Sequence, residues 1–212
     1  LGGPCHSMPR DTELPAALRS DLAAHFAVPR LELVARQRSG DGTQKFLFRL
    51  PDGQGIETVA IPDDARVTLC ISSQAGCALK CAFCATGRMG LLRNLETWEI
   101  VEQVREVRRT LGPGERVHGV VFQGMGEPLA NLDRALAAIA VVTDPCAQPV
   151  DARAITICTS GLPSGILRLA REAPRVRLGI SIGSAIGGDR RSLMPIDEAH
   201  SLDEVLEAAV VH

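Results

Sequence analysis

Between Val67 and Val211 a short, β-branched apolar run is followed by a helical stretch four times over. The strands are predicted at 67–72, 117–122, 154–159 and 176–182, and the helices at 97–110, 132–142, 164–172 and 202–211. Such alternation with short connections predicts βα units and a parallel sheet. The runs are apolar throughout, as expected for strands covered on both faces. Ahead of them the pattern differs. Leu14, Leu18, Leu22 and Phe26 have helical spacing, and Pro15 fits a first turn. Leu31–Arg38 and Gln44–Leu50 read as strands around a Ser39-Gly40-Asp41-Gly42 turn, and Ile56–Ile61 as a third. Residues 1–13 read as loop. The expected organisation is α/β, with residues 1–65 as a small α+β appendage and 66–212 as the core.

A hydrophobic content of 45% over 212 residues is enough for one core. The net charge of −2 gives no whole-chain attraction to nucleic acid, leaving only a local basic face for that purpose. Aromatic residues make up 3%, with no Tyr, which argues against a base-stacking platform. No apolar run reaches membrane-spanning length, and the N-terminal residues lack a secretory pattern, so a cytoplasmic location is expected.

Seven cysteines are present, and Cys77, Cys81 and Cys84 fall in a C-x3-C-x2-C array directly after a predicted strand. Their number is odd and their clustering tight, which suits a reducing compartment and a metal site better than disulfides. Three thiolates can hold three irons of a cubane and leave the fourth open to a ligand. A zinc site would need a fourth ligand, and no His lies between His25 and His118. Further on, the strand ending at Gln123 runs into Gly124-Met125-Gly126-Glu127-Pro128. Glycines at the C-terminal end of a parallel strand let backbone approach a ligand, and Glu127 can accept a hydrogen bond from an ammonium group. Alone, that second motif is common in turns. Following the cysteine array, it gains weight.

The stretch Thr68–Leu79 with Cys81–Gly87 resembles the radical S-adenosylmethionine (SAM) adenine-C2 methyltransferases of ribosomal RNA. Arg93-Asn94-Leu95, Gly124–Leu129, Thr159-Ser160-Gly161 and Leu193-Met194-Pro195-Ile196 fit the same family, as do Leu14–Arg19 and Ile56–Val59. The resemblance implies a partial (β/α)6 radical SAM barrel. It implies a [4Fe–4S] cluster on Cys77, Cys81 and Cys84, with SAM bound by Gly126, Glu127, Cys158, Ser181, Ile182 and Gly183. It assigns Glu57 as proton acceptor and Cys70 as the cysteine that resolves a protein–RNA intermediate. The implied reaction uses two SAM molecules to methylate C2 of an adenine in 23S rRNA, with tRNA as a further substrate. A monomer and an electron donor such as flavodoxin or ferredoxin go with it.

The chain departs from the family pattern at Cys158, where the family has Ser, and at Gly183, where it has His. The family's methyl-carrying cysteine falls beyond residue 212, and two barrel units are missing. These departures predict a chain that holds a cluster but does not methylate RNA by itself. They also leave open a radical SAM enzyme with another substrate, or a divergent paralogue without methyl transfer. Arg88, Arg93, Arg105, Arg108, Arg109 and Arg116 could present a phosphate-contacting face, although helical arginines more often form a solvated one. Arg190 and Arg191, after a Gly-rich turn, could reach a carboxylate of SAM.

Overall fold

The computed structural model describes residues 14–147 and 149–212. The expected loop at 1–13, with Cys5, lies outside them. Contacts divide the described chain after Arg30. The first unit holds helix α1 (Ala16–His25), which opens behind Pro15 and buries none of its residues.

In the second unit, β1 (Glu32–Arg38), β2 (Gln44–Arg49) and β3 (Gly55–Asp63) form an antiparallel meander. A tight turn, with Asp64 at φ 52°, leads into β4 (Arg66–Cys70), antiparallel to β3. The chain continues through β5 (Gln74–Gly76), α2 (Ala85–Met89), β6 (Leu91–Asn94) and α3 (Thr97–Arg108). Next come β7 (Arg116–Phe122), α4 (Leu132–Val142), β8 (Ile155–Thr159), α5 (Pro163–Glu172) and β9 (Arg177–Ile180). Helices α6 (Gly187–Leu193) and α7 (Leu202–Val210) complete it.

One seven-stranded sheet has the order β1-β2-β3-β4-β7-β8-β9, parallel from β4 to β9. The boundary expected near 63–66 therefore falls at a turn inside a continuous sheet, because the β3–β4 ladder runs from Val59↔Cys70 to Asp63↔Arg66. β5 and β6 form a separate antiparallel pair that frames the cysteine loop.

Coverage on both faces holds for only one face of the parallel strands. Val67, Leu69, Val120, Phe122, Ile155 and Ile157 are buried, in one core with Ile100 and Val104 of α3, Ala135, Ala138 and Ile139 of α4, and Leu169 of α5. Along β8 burial alternates, with Thr156 and Cys158 half-buried between fully buried neighbours. Cross-strand register puts Glu57, Val59, Cys70, Val121, Thr156 and Cys158 on the opposite face, all of them half-buried. Among the described residues four strands run parallel and the sheet does not close, which leaves that inner face only half-buried.

Candidate active site

The cysteine loop is shaped before any ligand is considered. Gly76 sits at φ 77°, and a Cβ there would lie 1.9 Å from the Gly90 carbonyl oxygen, so only glycine fits. Cys77 N–H donates to that same oxygen at 3.0 Å, which pins the first cysteine against the start of β6. Lys80 turns the chain with φ 53°. Cys84 opens α2, its sulfur accepting from Gly87 N–H at 3.4 Å. Directly after Cys81, Ala82 N–H donates to Leu193 O at 2.8 Å, tying the loop to the end of α6.

The glycine–glutamate turn is fixed against the segment that leads into the loop. Ser73 N–H and Gln74 N–H both donate to Met125 O, at 2.9 and 3.1 Å. Ser72 Oγ accepts from Met125 N–H at 2.9 Å and donates to Glu57 O at 2.6 Å. Gly126, at φ 99°, leaves room for Gln74, whose Cβ would stand 2.5 Å from any Cβ added there. Beneath this seam Gln103 of α3 accepts from Thr58 Oγ1 and Ser72 N–H, each at 2.8 Å, and donates to Ser72 O. Asn131 donates to Ser73 O and Leu95 O. Every one of these buried polar side chains is satisfied, the condition under which a polar network rigidifies a fold.

Cys77, Cys81, Cys84, Gly126 and Glu127 line one cavity of about 230 Å³, together with Cys158, Ser160 and Ser181. Glu127 is 3% exposed, and its carboxylate accepts from Leu129 N–H at 3.1 Å and Ser160 N–H at 2.9 Å. Burial pushes its acidity toward the neutral form against those donors. Burial also pushes the Cys77 and Cys81 thiols up, and neighbouring negative charge adds to it. A cationic group in the cavity would relieve both.

Among the described residues no three His, Cys, Asp or Glu side chains converge on a point able to hold one metal ion. Cys77, Cys81 and Cys84 all line the cavity, and three thiolates are the protein ligands of a cubane with one open iron. The donor set and the space beside it therefore fit the iron–sulfur group and a small polar ligand.

The other expected site residues fall into two sets. Cys158 and Ser181 line the cavity, whereas Ile182, 41% exposed, and Gly183 are not among its lining residues. Gly183 is at φ 72°, and a Cβ there would lie 2.6 Å from Met194 Sδ, so a larger side chain would have to displace that methionine. Cys70 stands outside the cavity on the inner face, and its sulfur takes a hydrogen bond from Gln123 N–H, whose residue does line it. Glu57 pairs with Lys45 at 3.0 Å, both half-exposed, on the same face as Cys70. Sequence reading counted Gln103 and Asn131 toward the family resemblance but gave them, like Ser72, Gln74 and Ser160, no role of their own, because their partners lie far away along the chain.

Three of the six arginines offered as a phosphate-contacting face are engaged in ion pairs. Arg93 is bidentate to Glu99 at 2.7 and 2.8 Å and also bonds Asp52, while Arg105 and Arg109 pair with Glu102. Arg190 is fully buried and does not line the cavity. Among the described residues no helix is long and apolar enough to cross a membrane.

Residues 71–209 match the family model of the radical SAM superfamily. The chain is 61% identical over 189 residues to a probable RNA methyltransferase of Sorangium cellulosum, covering 86% of this chain and 48% of that one. It is 52% identical to a probable dual-specificity RNA methyltransferase of Gemmatimonas aurantiaca, covering 97% and 57%. A crystal structure of a radical SAM methyltransferase from Sphaerobacter thermophilus superposes with a TM-score of 0.83 at 40% identity, covering 92% of this chain and 58% of that one. The chain thus spans about half the length of the curated relatives it matches. With that match, and with the cysteine loop and glycine–glutamate turn facing one cavity, the chain belongs to the radical SAM superfamily, whose members use SAM and an iron–sulfur cluster.

Proposed function

We propose that this chain is the SAM-cleaving core of an RNA methyltransferase that modifies C2 of adenine in 23S rRNA, with tRNA as a further substrate. One observation carries the reading: three thiols and the Gly126–Glu127 turn line a single cavity at the C-terminal ends of parallel strands. Relatives at 52% and 46% identity are named dual-specificity RNA methyltransferases, which supports the substrate class.

In this reading Cys77, Cys81 and Cys84 hold a [4Fe–4S] cluster. When bound, the cluster and SAM supply a carbon-centred radical, the kind of reagent needed at an adenine carbon too poorly nucleophilic for polar methyl transfer. The chain's own part is placement. Both Glu127 oxygens are oriented by backbone N–H donors, with Thr159 as a further donor, and the carboxylate lines the cavity where it would meet the SAM ammonium. Gly126 brings backbone against the ligand, and Cys158 and Ser181 line the same cavity. Ile182 and Gly183 act by shaping the β9 end rather than by contact. Cys70 and Glu57 lie along the inner face, on a line from the cavity toward the meander. Cys70 there is the thiol that releases product, and Glu57 accepts the C2 proton once its carboxylate leaves Lys45. A monomer in the cytoplasm, reduced by flavodoxin or ferredoxin, completes the reading.

Anaerobic reconstitution tests it. About four irons and four sulfides per chain are expected, with 5′-deoxyadenosine released from SAM under dithionite. Ribosomal RNA from cells with and without the gene should differ in 2-methyladenosine by mass spectrometry. Deoxyadenosine formation with unchanged RNA would move the reading to another substrate.

A further inference from the structure

The least expected side chain in the molecule is Arg190, in α6. It is among the largest fully buried side chains, at 0% exposure, in a segment the sequence presents as a Gly-rich turn. A buried guanidinium is costly unless each face is paired. Its Nε lies 2.8 Å from Asp197 Oδ1 in an ion pair that lacks hydrogen-bond alignment, and the Asp197 side chain is itself 6% exposed. Nη1 donates to Ile182 O at 3.0 Å, and Nη2 donates to Ser160 O at 3.0 Å.

One carbonyl belongs to Ser160, which lines the cavity, and the other to the residue after Ser181, which also lines it. Ser160 N–H holds Glu127 at 2.9 Å, and the Ser160 hydroxyl bonds the Cys81 thiol. Ile182 directly follows Ser181, whose N–H donates to Thr159 O at 2.8 Å at the end of the β8–β9 ladder. From the other side, the last residue of α6, Leu193, accepts Ala82 N–H inside the cysteine loop. One seven-residue helix thus contacts the cysteine loop through Leu193 and, through Arg190, the loops after β8 and β9.

We propose that Arg190, held by Asp197, is a positioning residue that sets the separation between the cysteine loop and the Ser160–Ser181 wall, and so sets SAM affinity. The inference rests on the cluster-and-SAM reading above. A planar fork can span two carbonyls and a carboxylate at once, which a lysine ammonium cannot. The relevant loss on substitution is alignment, not charge in the cavity, since Arg190 does not line it.

The test compares Arg190→Lys, Asp197→Asn and the apolar pair Arg190→Met with Asp197→Leu, each reconstituted anaerobically. Iron content, melting temperature, SAM dissociation constant and the change SAM makes in the electron paramagnetic resonance spectrum of the reduced cluster are read together. Arg190→Lys should keep its iron and bind SAM about tenfold to a hundredfold more weakly, the range seen when supporting partners of a metal site are removed. The apolar pair should recover melting temperature, as such replacements of buried ion pairs often do. Its SAM affinity should stay low and its SAM-dependent spectral change diminished. Recovery of SAM affinity together with stability would reduce Arg190 to a structural element and overturn the proposal. So would wild-type SAM binding in Arg190→Lys. A wild-type protein whose spectrum ignores SAM would instead overturn the underlying reading.

Discussion

The two faces of the parallel strands divide the labour of the molecule. The face toward α3, α4 and α5 is apolar and closed, with Leu69, Ile100, Ile155, Ile157 and Leu169 at 0% exposure. The other face carries Glu57, Cys70, Thr156 and Cys158, all half-buried, and leads to the cavity. Adjacent residues on one strand serve the two purposes, as Ile157 and Cys158 do. Stability is therefore expected to respond to one face and chemistry to the other, and mutations can separate them.

The largest effect belongs to the cysteines. Replacing any one of Cys77, Cys81 or Cys84 with Ala should abolish deoxyadenosine formation, measured by chromatography after reduction. The melting temperature of the iron-free protein should stay within a few degrees of wild type. A large drop in that temperature would break the division, because it would make the loop part of the core. Next comes the closed face. Ile157→Ala and Leu169→Ala should each cost roughly 2–5 kcal/mol in denaturant unfolding, while SAM binding persists where the variant is folded.

Gly126→Ala tests the seam between the faces. The added methyl would meet Gln74 at 2.5 Å in a left-handed backbone conformation, so SAM affinity should fall while iron content stays. Glu127→Gln removes a charge raised toward neutrality by burial. The folded chain keeps that proton to higher pH than the unfolded chain does. Iron-free wild type should therefore lose stability as pH rises above the ordinary carboxylate value, and Glu127→Gln should lose less over the same span. The smallest effect is at Lys45, half-exposed in its pair with Glu57. Lys45→Ala should shift stability by under about 1 kcal/mol, and a larger shift would mean the inner face is packed more tightly than its exposure indicates.

Much of this was readable from residue order, for identifiable reasons. The four βα units announce themselves because each strand's apolar run is bounded by turn residues. The cysteine array and the glycine–glutamate turn are local in sequence, so spacing alone exposes them. What sequence concealed is long-range. β5 is three residues with a polar Gln74 at its start, too short for periodicity to register. Helix α6 begins Gly187-Gly188, which reads as a turn, and it is tied in by Arg190 bonding across 30 residues to Ser160. Gln103 looks like a surface residue of an amphipathic helix until its bonds to Thr58 and Ser72 are seen. The sheet's continuity from the meander to the parallel strands depends on the β3–β4 ladder, which no composition change marks.

The central claim is that Cys77, Cys81 and Cys84 leave one iron open for SAM beside Glu127. Mössbauer spectroscopy of iron-57-reconstituted protein, recorded with and without SAM, addresses it most directly. One iron of four should change its signal when SAM is added, and Glu127→Gln should require more SAM for the same change. Four irons indifferent to saturating SAM, or zinc in place of iron, would contradict it.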